Sequence, residues 1–301
     1  MKKFDIPITS ALSGRMIKDI FKNEYGFSDR MISKLKLNGG VILNGEAVRV
    51  TKIVNNGDML CAVMPDETSS NITPTNLPID IVYQDEDIML INKNPNMPVH
   101  PSQNNFTNTL ANALKYYWEK NGEDYIFRAV NRLDKDTSGL MLVAKNSYSH
   151  FKLSEQLQNK ELKRKYYAIC HGHIEADDGT IDLPIKRKDG STIERCVADD
   201  GKKAITHFRV IERLSYPATL MELCLDTGRT HQIRVHFSHI LHPLMGDWLY
   251  GDEGDEMPRQ ALHSYYIRFI HPTKNEEMIF TIPLYDDMKN FTEKYHLNPN
   301  N

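Results

Sequence analysis

Residues 129–146 read AVNRLDKDTSGLMLVAKN. A charged run from Arg132 to Asp136 stands between apolar stretches, and Thr137-Ser138-Gly139 is a turn signal leading into the strand-like GLMLVAK. A polar cluster between apolar runs marks a loop that holds side chains above a rigid scaffold. Asp134 lies at its centre. Two readings fit the residue chemistry. One is a surface turn with a charge pair between Arg132 and Asp134. The other is a site whose working group is the Asp134 carboxylate.

Outward from this stretch the chain alternates short apolar runs with turns. IDIVYQ, DIMLINK, FRAV, KYYAICHG, ITHFRVIE and MIFTIPL are strand patterns, and Thr109 to Glu119 reads as a helix. In TLMELCLDTG, Met221, Leu223 and Leu225 fall on one face while Glu222, Cys224 and Asp226 fall on the other. QIRVHFSHI begins a helix pattern. Regular βα alternation is missing, which excludes a doubly wound fold.

Two further clusters carry chemistry. LDTGRTHQIRVH, residues 225–236, places Arg229 and Arg234 around His231 and Gln232 beside a tight turn. Guanidinium groups there suit phosphate or carboxylate recognition, or plain structural salt bridges. KRKYYAICHG, residues 163–172, sets Lys163, Arg164 and Lys165 beside Tyr166 and Tyr167. On a strand the two tyrosines face opposite ways, and an aromatic face next to basic side chains can stack a base. The histidines at 231, 236, 239 and 242 follow no HExxH pattern, and no cysteine stands at a zinc-ligand spacing, so no metal is expected. GxGxxG, Walker A and GxSxG sequences are also missing, which argues against nucleotide cofactors and common hydrolases.

Residues 66–78, DETSSNITPTNLP, are polar, Pro-containing and aperiodic, and mark a linker. The segment before it reads as a small α+β module. Ser13 can cap a helix in which Ile17 and Phe21 share a face, and Ser28 a second one with the stripe Met31, Ile32 and Leu35. Gly39-Gly40 stops that helix, Asn44-Gly45 signals a hairpin, and Gly57-Asp58 precedes a last strand.

The 301-residue chain has a formal charge of -3, yet residues 1–60 hold ten Lys or Arg and six Asp or Glu, a net +4. RNA responds to such a local patch rather than to the total. Arg30 and Lys34 stand at i,i+4, with Lys36 extending the basic edge. Gly251–Glu256 is acidic and is expected away from phosphate. Cys61, Cys170, Cys196 and Cys224 form no CxxC pair and read as free thiols of a reducing compartment, with Cys224 in the core. Neither a leader-like N-terminal run nor a stretch of ~18 apolar residues occurs, so a cytoplasmic protein off the membrane is expected.

NRLDKDTSGL at 131–140 resembles the HRLDxxTSGL motif of the RluA/RluD-type pseudouridine synthases of 23S ribosomal RNA. The resemblance implies that Asp134 is the nucleophile and that Arg132 helps displace the flipped base. Asn131 stands where the family has histidine. DEDIMLINKNPNMPVHPS, residues 85–102, looks like the family's entry strand and Lys-Pro…His-Pro segment, with Asn94 and Asn96 at the family's proline and glycine positions. RKYYA at 164–168 looks like KxYxA, which makes Tyr166 the active-site tyrosine. Arg234 in GRTHQIRVH matches the arginine paired with the aspartate. HPLMGDWLYG at 242–251 and LHSYYIRFIHP at 262–272 are similar to its C-terminal signatures.

Residues 13–65 resemble an S4 RNA-binding domain, with 66–78 as linker and 79–298 as catalytic domain. The implied fold is α+β: a mixed, largely antiparallel sheet with a small S4-like domain in front. The implied reaction breaks the N1–C1′ bond of a uridine, turns the base and forms a C5–C1′ bond, with no cofactor. The aspartate either attacks C1′ or takes a proton from C2′. Expected partners are structured RNA, large-subunit ribosomal RNA first, with the protein a monomer. The alternatives are the same chemistry on transfer RNA, or a non-catalytic S4-type RNA-binding protein.

Overall fold

The computed structural model describes residues 3–64, 72–102, 105–251 and 256–297. The N-terminal unit runs β1 (Lys3–Pro7), α1 (Ile17–Asn23), α2 (Asp29–Leu37), β2 (Val41–Leu43), β3 (Glu46–Ala47) and β4 (Met59–Val63). Its strands lie in the order β1-β4-β2-β3. β1 pairs along its whole length with β4, so Lys3–Pro7 share one sheet with the strands that follow residue 13. Asn44 and Gly45 take φ of 51° and 89°, the double positive pair that a two-residue hairpin needs. Ser28 caps α2 through the Met31 N–H. Ser13 caps nothing: its hydroxyl accepts from the Asn56 N–H, and the first N–H groups of α1 are satisfied by the carbonyls of Lys52 and Val50. A helix end can be closed by backbone brought from far along the chain, which local sequence does not signal.

The second unit continues with β5 (Asp80–Gln84), β6 (Ile88–Lys93), α3 (Leu110–Lys120), β7 (Arg128–Ala129), β8 (Ser138–Ala144), α4 (Ser147–Gln158), β9 (Lys163–His171) and β10 (Asp178–Asp182). Then come β11 (Ile185–Arg187), β12 (Arg195–Val197), β13 (Ile205–Arg213), β14 (Ala218–Leu225), α5 (Gln232–His239), β15 (Leu262–Ile270), β16 (Glu277–Thr281) and α6 (Asp286–Tyr295). The main sheet has the order β10-β13-β14-β9-β15-β8-β6-β5, with β16 on β15 and β7 on β8. Every pairing in it is antiparallel except β15 with β8. This is the mixed, largely antiparallel α+β sheet expected.

The one parallel contact brings His263 and Ser264 alongside Ser138 and Gly139. Gly139 has φ +112°, and a Cβ there would stand 2.2 Å from the Ser264 carbonyl oxygen. Only glycine lets the two backbones approach this closely. β8 is buried at every position, so its start, and the Arg132–Thr137 loop before it, rest on a rigid base. One core cluster gathers Met89, Trp118, Met141, Tyr166, Met221, Ile233 and Phe237 between the sheet, α3 and α5. Another joins Leu90, Leu142, Leu153 and Phe269 under α4. α6 covers Ile169 and Leu220 with Met288 and Phe291.

Of the linker, residues 65–71 lie outside the described residues. Residues 72–78 are irregular and tied down: the Thr75 N–H donates to the Asn112 carbonyl, and Asn112 Nδ2 donates to the Thr73 carbonyl. The N-terminal unit packs on α4. Tyr148 belongs to its apolar core, with ring centroids 4.6 Å from Phe4 and 5.4 Å from Phe27.

Of the acidic segment 251–256, residues 252–255 also lie outside the described residues, while Glu256 pairs with Lys294 at 2.8 Å. All four cysteines are free. Cys170, not Cys224, is the buried one, and burial pushes its thiol up to about 12. Cys224 falls on the polar face of β14 and is only half-buried. Among the described residues no helix is long and apolar enough to cross a membrane.

Candidate active site

Each local sequence feature contributes one wall of a single cleft. The loop between β7 and β8 supplies Arg132 and Asp134, β9 supplies Tyr166, and the β14–α5 connection supplies Arg229 and His231. The part lined by Arg132, Asp134, Tyr166 and Arg229 holds about 620 Å³, and a recess of about 60 Å³ beside it shares these four residues and adds His231 and Arg234. Tyr166 is buried beneath it, hydrogen-bonded through its backbone between β14 and β15 opposite Leu223 and Ser264. Tyr167 faces the other way and stacks on Tyr265 at 3.9 Å. Strand alternation therefore sends one tyrosine into the cleft and its neighbour to the opposite side.

Asp134 is about a quarter exposed, and its Oδ2 lies 3.2 Å from Arg234 Nη1. Arg234 is buried in the first turn of α5 and is turned by a residue that local sequence did not single out. Asp247, fully buried, accepts from Arg234 Nε and Nη2, both at 2.7 Å. It also accepts from the Leu249 and Tyr250 N–H groups. The Asp247 carboxylate compensates most of the desolvated guanidinium charge, and one Nη1 edge is left to face Asp134.

His231 completes the surroundings of Asp134. Its backbone adopts φ 56°, the left-handed entry into α5, and its Nε2 is 3.8 Å from Asp134 Oδ2. Its Nδ1 meets the Tyr250 hydroxyl at 2.8 Å. That hydroxyl also accepts from the Arg195 N–H. Burial pushes the His231 pKa down, so the ring is neutral near pH 7. Gln232 ties the turn in place, accepting from the Thr227 hydroxyl and the Arg229 N–H while donating to the Ile205 carbonyl.

Arg132 is exposed at the rim. Arg229 donates through Nε to the Lys203 carbonyl and lines the same rim. Arg30, Lys34 and Lys36 lie on the N-terminal unit and line neither the cleft nor its recess. Arg30 and Lys36 are exposed, and Lys34 is half-buried. Burial, with Arg30 and Arg128 nearby, lowers the Lys34 pKa.

Two departures from the family pattern find physical reasons. Asn131 is buried at the edge of the cleft, takes the Leu142 N–H at 2.8 Å and reaches the Leu140 carbonyl, so its amide braces β8. Asn96 adopts φ 57°. Asparagine tolerates this glycine-like conformation, and the loop after β6 keeps its turn. Among the described residues no group of three His, Cys, Asp or Glu side chains is placed to hold a metal ion. His236, from the histidine-rich stretch, is buried and bonded to the Thr206 hydroxyl and the Leu183 carbonyl.

A mixed sheet bearing one cleft, in which a part-exposed carboxylate meets a buried arginine above a tyrosine, is the arrangement of an enzyme's active site. Residues 87–239 match the family model described as RNA pseudouridylate synthase. The uncharacterised RNA pseudouridine synthase YjbO of Bacillus subtilis is 43% identical over 89% of this chain and 95% of its own length. Ribosomal large subunit pseudouridine synthase D of Escherichia coli is 38% identical over 89% of this chain and 87% of its own. Among solved structures, human RNA pseudouridylate synthase domain containing 1 superposes with a TM-score of 0.58 at 25% identity, covering 78% of this chain and 99% of that one. The chain belongs to the RNA pseudouridine synthase family. It is an isomerase that converts uridine in RNA to pseudouridine.

Proposed function

We propose that the substrate is structured RNA, large-subunit ribosomal RNA in particular, and that Asp134 is the group that reacts with the target nucleoside. The observation that carries the assignment is the meeting of Asp134, Arg234 and Tyr166 in one cleft from three distant parts of the chain. Arg234, 3.2 Å from Oδ2, holds the Asp134 carboxylate aimed at the ribose C1′ or C2′. Tyr166 gives the freed uracil a stacking face. Arg132 fills the gap left by the flipped base, and Arg229 takes a phosphate at the rim. Flipping costs a few kcal/mol, less for an unpaired base, and phosphate contacts offset it.

The ribosomal substrate is supported by the 38% identity to the Escherichia coli enzyme named for the large ribosomal subunit. The N-terminal unit, residues 3–64, serves as an S4-type RNA-binding module through Arg30, Lys34 and Lys36. One chain supplies the named groups of the cleft, which supports a monomer, and a ribosomal RNA substrate supports a cytoplasmic protein.

Tritium release from C5-labelled uridine in an RNA transcript tests the chemistry. Asp134→Asn is expected to abolish release while RNA affinity falls less than about tenfold, roughly 1.4 kcal/mol. Substantial turnover by this variant rejects the role of Asp134. Mapping pseudouridine in ribosomal and transfer RNA from cells with and without the gene tests the substrate. Loss confined to transfer RNA rejects the ribosomal assignment.

A further inference from the structure

Asp134 has to be held and left free at once. Its Oδ2 contacts Arg234 and lies near His231, and no hydrogen bond from a described residue reaches Oδ1. Side-chain restraint is light, so the aim of the carboxylate depends on the backbone of the loop that carries it. That backbone is gripped from behind. The Thr137 N–H donates to the Asp134 carbonyl at 3.2 Å. Lys93, buried at the end of β6, donates to the Lys135 carbonyl at 2.9 Å.

The next carbonyl belongs to Arg259. Arg259 is 6% exposed, and its Nη1 donates to the Asp136 carbonyl at 2.8 Å and to the carbonyls of Gln260 and Leu262. Its Nη2 donates to Ser138 Oγ at 3.1 Å. The Nε–Nη2 edge makes a fork with Asp287 on α6, at 2.7 and 2.9 Å. The Tyr285 ring lies 5.1 Å from the guanidinium carbon. The Ser138 hydroxyl in turn donates to His263 Nδ1, and His263 Nε2 donates to the Pro283 carbonyl, both at 2.9 Å. The C-terminal helix and the strand after the cleft are thereby fastened to both sides of the Asp134–Ser138 turn. Neither Arg259 nor Asp287 lines the cleft.

We infer that Arg259, oriented by Asp287, is a positioning residue for Asp134, fixing the turn through the Asp136 carbonyl and the Ser138 hydroxyl. Bonds from a charged donor are shorter and stronger than neutral ones, and a planar fork fixes direction as well as distance. Reaction at C1′ or C2′ is sensitive to displacements of about 1 Å, for which losses near a hundredfold are typical. A loop held by cations from behind gives that precision without occupying the reactive oxygen.

The inference rests on the reading of Asp134 as the reacting group, and the experiment separates the two. Single-turnover conversion at saturating enzyme and RNA dissociation constants are measured on one transcript for Arg259→Gln, Arg259→Lys, Asp287→Asn and Asp134→Asn. Arg259→Gln is expected to slow conversion about ten- to hundredfold, and Asp287→Asn about tenfold, with RNA affinity within about twofold. Arg259→Lys recovers part of the rate, because an ammonium reaches one acceptor but cannot fork. Asp287→Asn keeps the side-chain shape, and its melting curve shows that the assayed protein is folded. Full-rate conversion by Arg259→Gln or Asp287→Asn overturns the inference, as does a loss of RNA affinity that matches the loss of rate. Conversion by Asp134→Asn overturns the reading of Asp134 instead.

Discussion

Arg234 grips Asp247 through two bonds of 2.7 Å and Asp134 through one of 3.2 Å. The stronger partner is fully buried and away from the cleft mouth, so Asp247 decides the plane in which the guanidinium meets Asp134. An arginine facing a reactive carboxylate alone would be free to swing onto it and cover both oxygens.

Asp247 is therefore expected to matter for stability and rate. Removing one member of a buried ion pair costs about 3–5 kcal/mol, because the other charge stays desolvated. Asp247→Ala should lower stability to urea by that order. Arg234→Lys should be impaired, since it keeps charge and loses the fork, and Arg234→Ala should be slower still. Wild-type turnover by Arg234→Ala would show that the contact with Asp134 plays no part.

Tyr166 and Tyr167 separate stacking from packing. Tyr166→Phe keeps the ring in the cleft, so RNA binding should be unchanged, while loss of the hydroxyl should slow turnover. Tyr167→Phe should leave turnover near wild type, because that ring stacks on Tyr265 across the sheet. Turnover and affinity on the same RNA check both. A slower enzyme from Tyr167→Phe than from Tyr166→Phe would reverse the assignment.

His263 makes stability depend on pH. Burial pushes its pKa down from 6.5 to about 4. The unfolded chain then takes up the proton first as pH falls. The stability contribution is complete above about pH 6.5, is lost on the way down to pH 4, and is gone below that. Between pH 7 and 5 the loss is on the order of 2 kcal/mol. Urea unfolding of wild type and His263→Gln at the two pH values should show a smaller decline in the variant. Equal declines would mean that this imidazole does not titrate on unfolding.

The N-terminal unit predicts a salt effect. Residues 1–60 carry a net +4, and each phosphate neutralised releases counterions. A chain beginning at Ile72 keeps the Thr73 and Thr75 contacts to Asn112 and should fold. It should bind RNA more weakly, with a shallower dependence of log affinity on log salt, and retain turnover at saturating RNA. Its melting temperature should fall somewhat, because Tyr148 loses Phe4 and Phe27. Equal affinity and slope for both chains would show that the unit does not touch RNA.

The amino-acid order by itself determined whatever depends on near neighbours. Short apolar runs between turns marked the main strands, and period-2 alternation set the opposite facing of Tyr166 and Tyr167. Asn44-Gly45 fixed the hairpin, Ser28 the start of α2, and Gly139 marked where β8 begins. The motif around Asp134 and the one around Arg234 were both readable, because each is a contiguous run. Tertiary structure alone decided how these runs meet. Arg234 lies 100 positions from Asp134, and Arg259 lies 121 from Ser138. Asp247 sits in a Gly-Asp turn that gives no local hint of its bonds to α5. The start of α1 shows the same limit, since Ser13 had the chemistry of a cap and distant carbonyls took the role. Local sequence biases backbone conformation over a few residues. Which buried charge finds which partner is settled only when the sheet closes and desolvation leaves each guanidinium and carboxylate no other way to be satisfied.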